Sequence, residues 1–195
     1  MGQFLFWIVV VLAAAWAVWV YNRLVKLRNE IGNAFAQIDV QLKRRYDLIP
    51  NLVEVARKFV QHERETLEAV TRARNAASSA ADRAREAPAD GARIAALGAA
   101  DAALGGALAR LMVVVEAYPE LKADRTLRDL SEELAHTENR IAFSRQAFND
   151  AVLDHNNAVQ QFPDLLVARV TGFAPAAALQ ATASDEERTA PRVQL

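Results

Sequence analysis

Phe4–Tyr21 reads FLFWIVVVLAAAWAVWVY, eighteen residues without a charge. At a rise of 1.5 Å per residue it reaches about 27 Å, close to the ~30 Å hydrocarbon core of a bilayer. Trp16, Trp19 and Tyr21 crowd its C-terminal end, where amphipathic rings settle at headgroup level. A cleaved signal peptide would place Ala13-Ala14-Ala15 at the cleavage site. Against it, Met1-Gly2-Gln3 supplies no Lys or Arg and the apolar run continues to Val20. The segment reads as a single transmembrane helix, with residues 1–3 on one side of the membrane and the bulk of the chain on the other.

The flanking charges predict which side. No Lys or Arg precedes the span, whereas Arg23, Lys26 and Arg28 follow it directly as juxtamembrane cations. The excess of cations on the cytoplasmic side of spans puts the N-terminus outside and the body of the chain in the cytoplasm. Lys43-Arg44-Arg45 form a second cluster. On a continuous helix they lie about 33 Å beyond Tyr21, several times the ~8 Å reach of unscreened charge, so they are not headgroup ligands.

Past Tyr21 the apolar residues keep helical spacing. Leu24, Leu27, Ile31, Phe35, Ile38 and Leu42 follow at steps of three and four, with no breaker before them, so the span and this segment read as one helix. Asp47 with Pro50 reads as a boundary, because a proline is tolerated in a helix's first turn. A second helix is then expected from about Leu48 to Ala87, with Leu52, Ala56, Phe59, Leu67, Val70, Ala73 and Ala77 on its stripe. Pro88-Ala89-Asp90-Gly91 is a turn. The third helix carries a heptad seam through Ile94, Leu97, Asp101, Leu104, Leu108, Leu111, Val115 and Tyr118, among glycines (Gly98, Gly105, Gly106) that would let neighbouring backbones approach. Thr126 and Asp129 resemble a capping box. A fourth seam follows: Leu127, Leu130, Leu134, Thr137, Ile141, Ser144, Phe148, Val152, His155, Val159 and Phe162. Pro163 stops it, Leu165–Phe173 forms a last short element, and Ala174–Leu195, with little to bury, reads as a disordered tail.

The expected fold is therefore all-α: a transmembrane helix over residues 4–21, then an antiparallel four-helix bundle over residues 22–173. Every later helix is apolar on one face only, so only the first should enter lipid. Composition agrees. Cysteine is absent, which removes disulfides and thiolate chemistry. A formal net charge of −1 gives no basic excess of the kind nucleic-acid binding needs.

At this point the chain resembles the LemA family of bacterial membrane proteins. The resemblance is carried by YNRLVKLRNEIGNAFAQIDVQLKRRYDLIPNLVE (Tyr21–Glu54), His62-Glu63, Ala73-Arg74, Tyr118-Pro119-Glu120-Leu121-Lys122-Ala123, Thr137-Glu138-Asn139, Phe148-Asn149, His155-Asn156, Phe162-Pro163 and Gly172-Phe173. It covers roughly residues 4–173, and the string Gln37–Glu54 is its most specific part. It implies a bacterial inner-membrane protein with an N-terminal anchor and a four-helix bundle, and implies no particular activity. The family often has Tyr-Asn where this chain has Phe148-Asn149 and His155-Asn156, so the phenolic hydroxyls are lost at both places.

Catalytic constellations are thin. A ferritin-like di-iron site needs Glu from two helices and Glu-x-x-His from two more. Only Glu133 and His136 have that spacing, and both lie off the seam. His62-Glu63 lacks the second histidine of a zincin, position 66 being Thr. His155, on a seam, would suit a satisfied interior histidine or a pH sensor. No phosphate loop or nucleophile elbow occurs. The sequence thus points to no cofactor. It points to a non-enzymatic, membrane-tethered scaffold or adaptor that binds an unidentified membrane or cytoplasmic protein or forms a homo-oligomer, with a metal-dependent enzyme or a pH-sensing module as the alternatives. The expected turn Asp47-Leu48-Ile49-Pro50-Asn51 is the candidate contact, because loops at bundle ends often carry recognition.

Overall fold

A computed structural model of the chain describes residues 2–60 and 62–179. Every element in it is helical, and no strand occurs among the described residues. The helices are α1 (Gly2–Arg57), α2 (Arg64–Glu86), α3 (Gly91–Ala117), α4 (Pro119–Ala123), α5 (Arg125–Gln160) and α6 (Asp164–Thr171).

α1 is one uninterrupted helix of 56 residues. The expected boundary at Asp47–Pro50 does not exist: the chain stays helical through Pro50 and turns only after Arg57. A proline inside a helix removes one N–H, which frees the carbonyl four residues earlier, here that of Tyr46. Arg74 on α2 replaces the lost donor, its Nε donating to the Tyr46 oxygen at 3.0 Å. A group from another helix thus meets the main hydrogen-bonding cost of the proline. The turn comes instead after Arg57, where the Phe59 and Val60 amides donate to the Ala56 carbonyl and Val60 is buried.

Two helix starts are capped by aspartates. Asp90 accepts from the Ala92 and Arg93 amides and starts α3. Asp124 accepts from the Leu127 amide and starts α5, so the Thr126–Asp129 capping box is not formed. Gly172, at φ 78°, closes α6 in the left-handed region that glycine adopts without strain.

Cross-helix pairs fix the directions. Arg85 near the end of α2 meets Asp39 at 2.7 Å, so α2 returns antiparallel to α1. Glu133 early in α5 meets Arg44 at 2.6 Å, Phe148 stacks edge-on against Phe35 at 5.9 Å, and Asp164 beyond the end of α5 meets Arg23. α5 therefore also runs antiparallel to α1. α1 packs mainly on α5 and α2, and α2 on α3, while α3 and α5 approach each other much less.

The core runs from Ile31 to the far turn and includes Phe35, Ile38, Leu42, Ile49, Leu52, Leu104, Leu111, Ile141 and Phe148. Each large apolar side chain fully withdrawn from water contributes about 1.5–3 kcal/mol. A smaller cluster joins Val20 and Leu24 of α1 to Ala158, Val159 and Ala168, with Trp16, Leu27, Val167 and Phe173 against it. Before Trp16 the described residues of α1 are exposed, Phe4 to Leu12 among them. α1 is long and apolar enough at its start to cross a membrane. α3 passes the same test of length and composition, but its Ile94, Leu97, Leu104 and Leu111 are buried in the core.

Two expectations about the glycines and the tail change. Among the described residues a Cβ at Gly105 or Gly106 would meet nothing within 4 Å, so neither marks a close approach between the described helices. At Gly91 and Gly98 the neighbours are Ala177 and Leu179 of the segment after α6. The tail expected to be disordered from Ala174 is packed as far as Leu179, with Ala176 and Leu179 buried in the core. The charged patch Asp185–Arg188 lies outside the described residues.

Candidate functional site

Three polar constructions stand out on this frame. The first is a collar where α1 leaves its apolar stretch. Arg23 donates to Asp164 at 2.6 Å, and the carboxylate is nearly buried at the start of α6. The Arg23 guanidinium also lies 5.9 Å from the Trp19 ring centroid. Tyr21 meets Phe173 edge-on at 5.9 Å. Of the expected juxtamembrane cations, then, Arg23 is paired with Asp164, Lys26 lies 3.8 Å from Glu30, and Arg28 lines a cleft described below. Of the expected interfacial aromatics, Trp16 packs on the collar while Trp19 and Tyr21 remain exposed.

The second is a charge network in the interior. Arg45 is 6% exposed and reaches Asp101 at 2.9 Å and Glu138 at 3.0 Å. Arg145 meets the other Asp101 oxygen at 3.2 Å. One aspartate from α3 thus bridges arginines from α1 and α5. The adjacent Tyr46 hydroxyl is buried with no hydrogen-bond partner among the described residues. Burial, reinforced by the negative charge of Asp101, pushes this phenol well above its ordinary range. The sequence offered one clue to the network, an aspartate on an apolar heptad seam. The arginines gave none, because Arg45 reads as part of the basic run Lys43-Arg44-Arg45.

The third construction lies between α3 and α5, where the helices stand apart and the tail fills the space. Asn156 Nδ2 donates to the Ala176 carbonyl at 2.9 Å, and the Ala176 amide donates back to Asn156 Oδ1 at 2.8 Å. One heptad earlier on α5, Asn149 does the same for Leu179, at 3.1 and 2.9 Å. His155 Nε2 lies 3.2 Å from the Ala174 carbonyl, and its Nδ1 is buried without a partner among the described residues. Beside this segment is a cleft of about 810 Å³, lined by Arg28, Asn29, Asn33, Glu86, Asp90 and His155 among others.

The sequence-predicted contact Asp47–Asn51 is not a loop. Asp47, Pro50 and Asn51 lie on the exposed face of α1, Leu48 is half-buried, and Ile49 points into the core. Glu133 pairs with Arg44 and His136 is exposed, so this Glu-x-x-His does not converge with other ligands. Among the described residues no three His, Asp or Glu side chains gather as a metal ion would need.

The geometry defines a class: an all-helical protein whose N-terminal apolar helix, long enough to cross a membrane, continues without a break into the helical body. The profile of the LemA family matches residues 34–195, and the chain belongs to that family. It is also 36% identical over 84 residues to the magnetosome protein MamQ of Magnetospirillum gryphiswaldense, a match taking in 43% of this chain and 31% of that protein. MamQ 2 and MamQ 1 of Paramagnetospirillum magneticum are each 36% identical over 78 residues, covering 40% of this chain and 29% of the relative. The chain thus spans under a third of the length of these curated relatives.

Proposed function

We propose that this LemA-family protein is a membrane-tethered, non-enzymatic scaffold or adaptor whose helical body holds a protein partner or further copies of itself. One observation carries the reading: the stretch that would sit in lipid and the central helix of the body are the same helix, α1. A flexible linker would let the body tumble. A continuous helix, clasped at the membrane boundary by Arg23–Asp164, sets the body at one height and angle, which suits presentation of a surface. In this reading α1, α2, α3 and α5 act as an up-down-up-down bundle with the tail wedged into its one open side.

Residues 4–21 are the inner-membrane anchor, and Arg23, Lys26 and Arg28 keep the body in the cytoplasm. Asp47, Pro50 and Asn51 lie near the membrane-distal end and are the proposed partner face. The relatives are named as magnetosome proteins, not for a reaction, which agrees with a non-enzymatic role.

The test is chemical cross-linking in native membranes, purification of the full chain and mass spectrometry, with Asp47→Ala/Asn51→Ala in parallel. A discrete cross-linked species, weakened by the double substitution, is expected. A protein that stays monomeric and partnerless under saturating cross-linking overturns the proposal.

A further inference from the structure

The tail between α3 and α5 is held as a peptide is held. Its main-chain groups take part in five side-chain contacts, and two asparagines each grip both the N–H and the C=O of a single residue. The spacings match. Asn149 and Asn156 stand seven residues apart on α5, about 10.5 Å along the axis. Ala176 and Leu179 stand three apart, which in extended chain is about 9–10 Å.

The opposite wall carries the same period, with Gly91 facing Ala177 and Gly98 facing Leu179. A Cβ at Gly91 would come within 3.2 Å of the Ala177 Cβ, so the wall is cut back where the segment runs. In extended chain with three residues per turn, positions three apart face the same way, and Ala176 and Leu179 are the two side chains driven into the core.

We infer that this groove is a peptide-binding site, occupied in cis by the chain's own segment 174–179. Its ligand in trans is an extended peptide with a small residue and, three positions on, an aliphatic one. The clamp reads main chain, so it is indifferent to most of the sequence; the small and aliphatic pockets supply the selectivity. The tethered segment competes at high effective concentration, so the groove opens to a partner only when the tail leaves. This deepens the adaptor reading and rests on it for the source of the partner. Its test uses the purified protein alone, so its failure is distinct from failure to find a partner in membranes.

Two measurements on the full chain in detergent decide it. Hydrogen exchange should show slow amides at Ala176 and Leu179, and Asn149→Ala/Asn156→Ala should speed them at least tenfold while α5 stays protected. Next, Ala176→Arg/Leu179→Asp unseats the tail without shortening the chain. A labelled, N-acetylated peptide of residues 172–179 should bind that variant at least tenfold more tightly than the unaltered protein, and adding Asn149→Ala should remove the binding. Fast exchange at Ala176 and Leu179 in the unaltered chain overturns the clamp. A folded, unseated variant that ignores the peptide, or equal binding to both proteins, overturns the site. If that variant does not fold, Leu179→Ala, which empties only the aliphatic pocket, takes its place: tighter binding of the peptide than by the unaltered protein supports the site, and equal binding overturns it.

Discussion

Arg74 Nε stands 3.0 Å from the Tyr46 carbonyl, the one carbonyl in the body of α1 that Pro50 deprives of its helical donor. Arg74 lies 28 residues from Tyr46 and 24 from Pro50 in sequence, and it carries the helix past the proline. The pair should behave as a coupled unit. Arg74→Met leaves a part-buried carbonyl unsatisfied and is expected to cost about 1–3 kcal/mol. In a Pro50→Ala background the residue at position 50 brings its own N–H, and the same substitution should cost under about 1 kcal/mol. Denaturant unfolding of the four proteins of this cycle checks it. Equal costs in both backgrounds would separate Arg74 from Pro50.

The interior charge network predicts a contrast between its two acids. Asp101→Leu leaves Arg45, in a nearly closed site, with only the half-exposed Glu138, removes the Arg145 contact as well, and should destabilise by about 3–5 kcal/mol. Glu138 is half exposed, so Glu138→Gln should cost under about 1 kcal/mol. Thermal unfolding of the two variants side by side reads the difference. Similar losses would mean that Arg45 does not depend on Asp101.

Tyr46 makes the fold sensitive to alkali. Its pKa is raised above the ordinary 10.0, so the folded protein holds the phenolic proton after an unfolded chain has released it. The resulting stabilisation is complete below about pH 10 and falls as the pH climbs above that value toward the folded-state pKa. Tyr46→Phe should flatten the alkaline slope of stability. At pH 7 it should be neutral or mildly stabilising, because it deletes an unpaired buried hydroxyl. Denaturant midpoints from pH 8 to 11 for both proteins test this. An unchanged slope in the variant would assign the alkaline loss to other groups.

Gly105 and Gly106 sit in mid-helix with open space where a Cβ would go. Alanine at each should raise stability by about 0.8–1 kcal/mol through helix propensity. Differential calorimetry with light scattering on Gly105→Ala/Gly106→Ala checks it. A loss of stability together with a loss of oligomer would show that copies of the chain pack through these positions.

Much of this was legible along the chain because it depends on local pattern. The charge-free run Phe4–Tyr21, the helical spacing from Leu24 to Leu42, and the breaks at Pro88–Gly91, Pro119 and Pro163 are all where the residues put them. The larger failures share one cause, a partner distant in sequence, whereas the capping box at Thr126 was lost to its near neighbour Asp124. Pro50 reads as a helix start unless Arg74 is known to stand over Tyr46. Asp101 announces a buried charge without naming Arg45 or Arg145. Asn149 and Asn156 stood out only through resemblance. Their ligand is an alanine-rich segment with two core residues, Ala176 and Leu179, too few to register as a packing element.

α1 runs unbroken from its apolar start past Pro50. Spin labels at the exposed positions Asn22 and Glu54, in the full chain in lipid nanodiscs, test it by pulsed dipolar spectroscopy. Thirty-two residues of continuous helix predict a single narrow distance of about 48 Å. A chain that turned at Asp47–Pro50 would bring the labels to roughly 30 Å, again at 1.5 Å per residue, and a peak there would contradict the account.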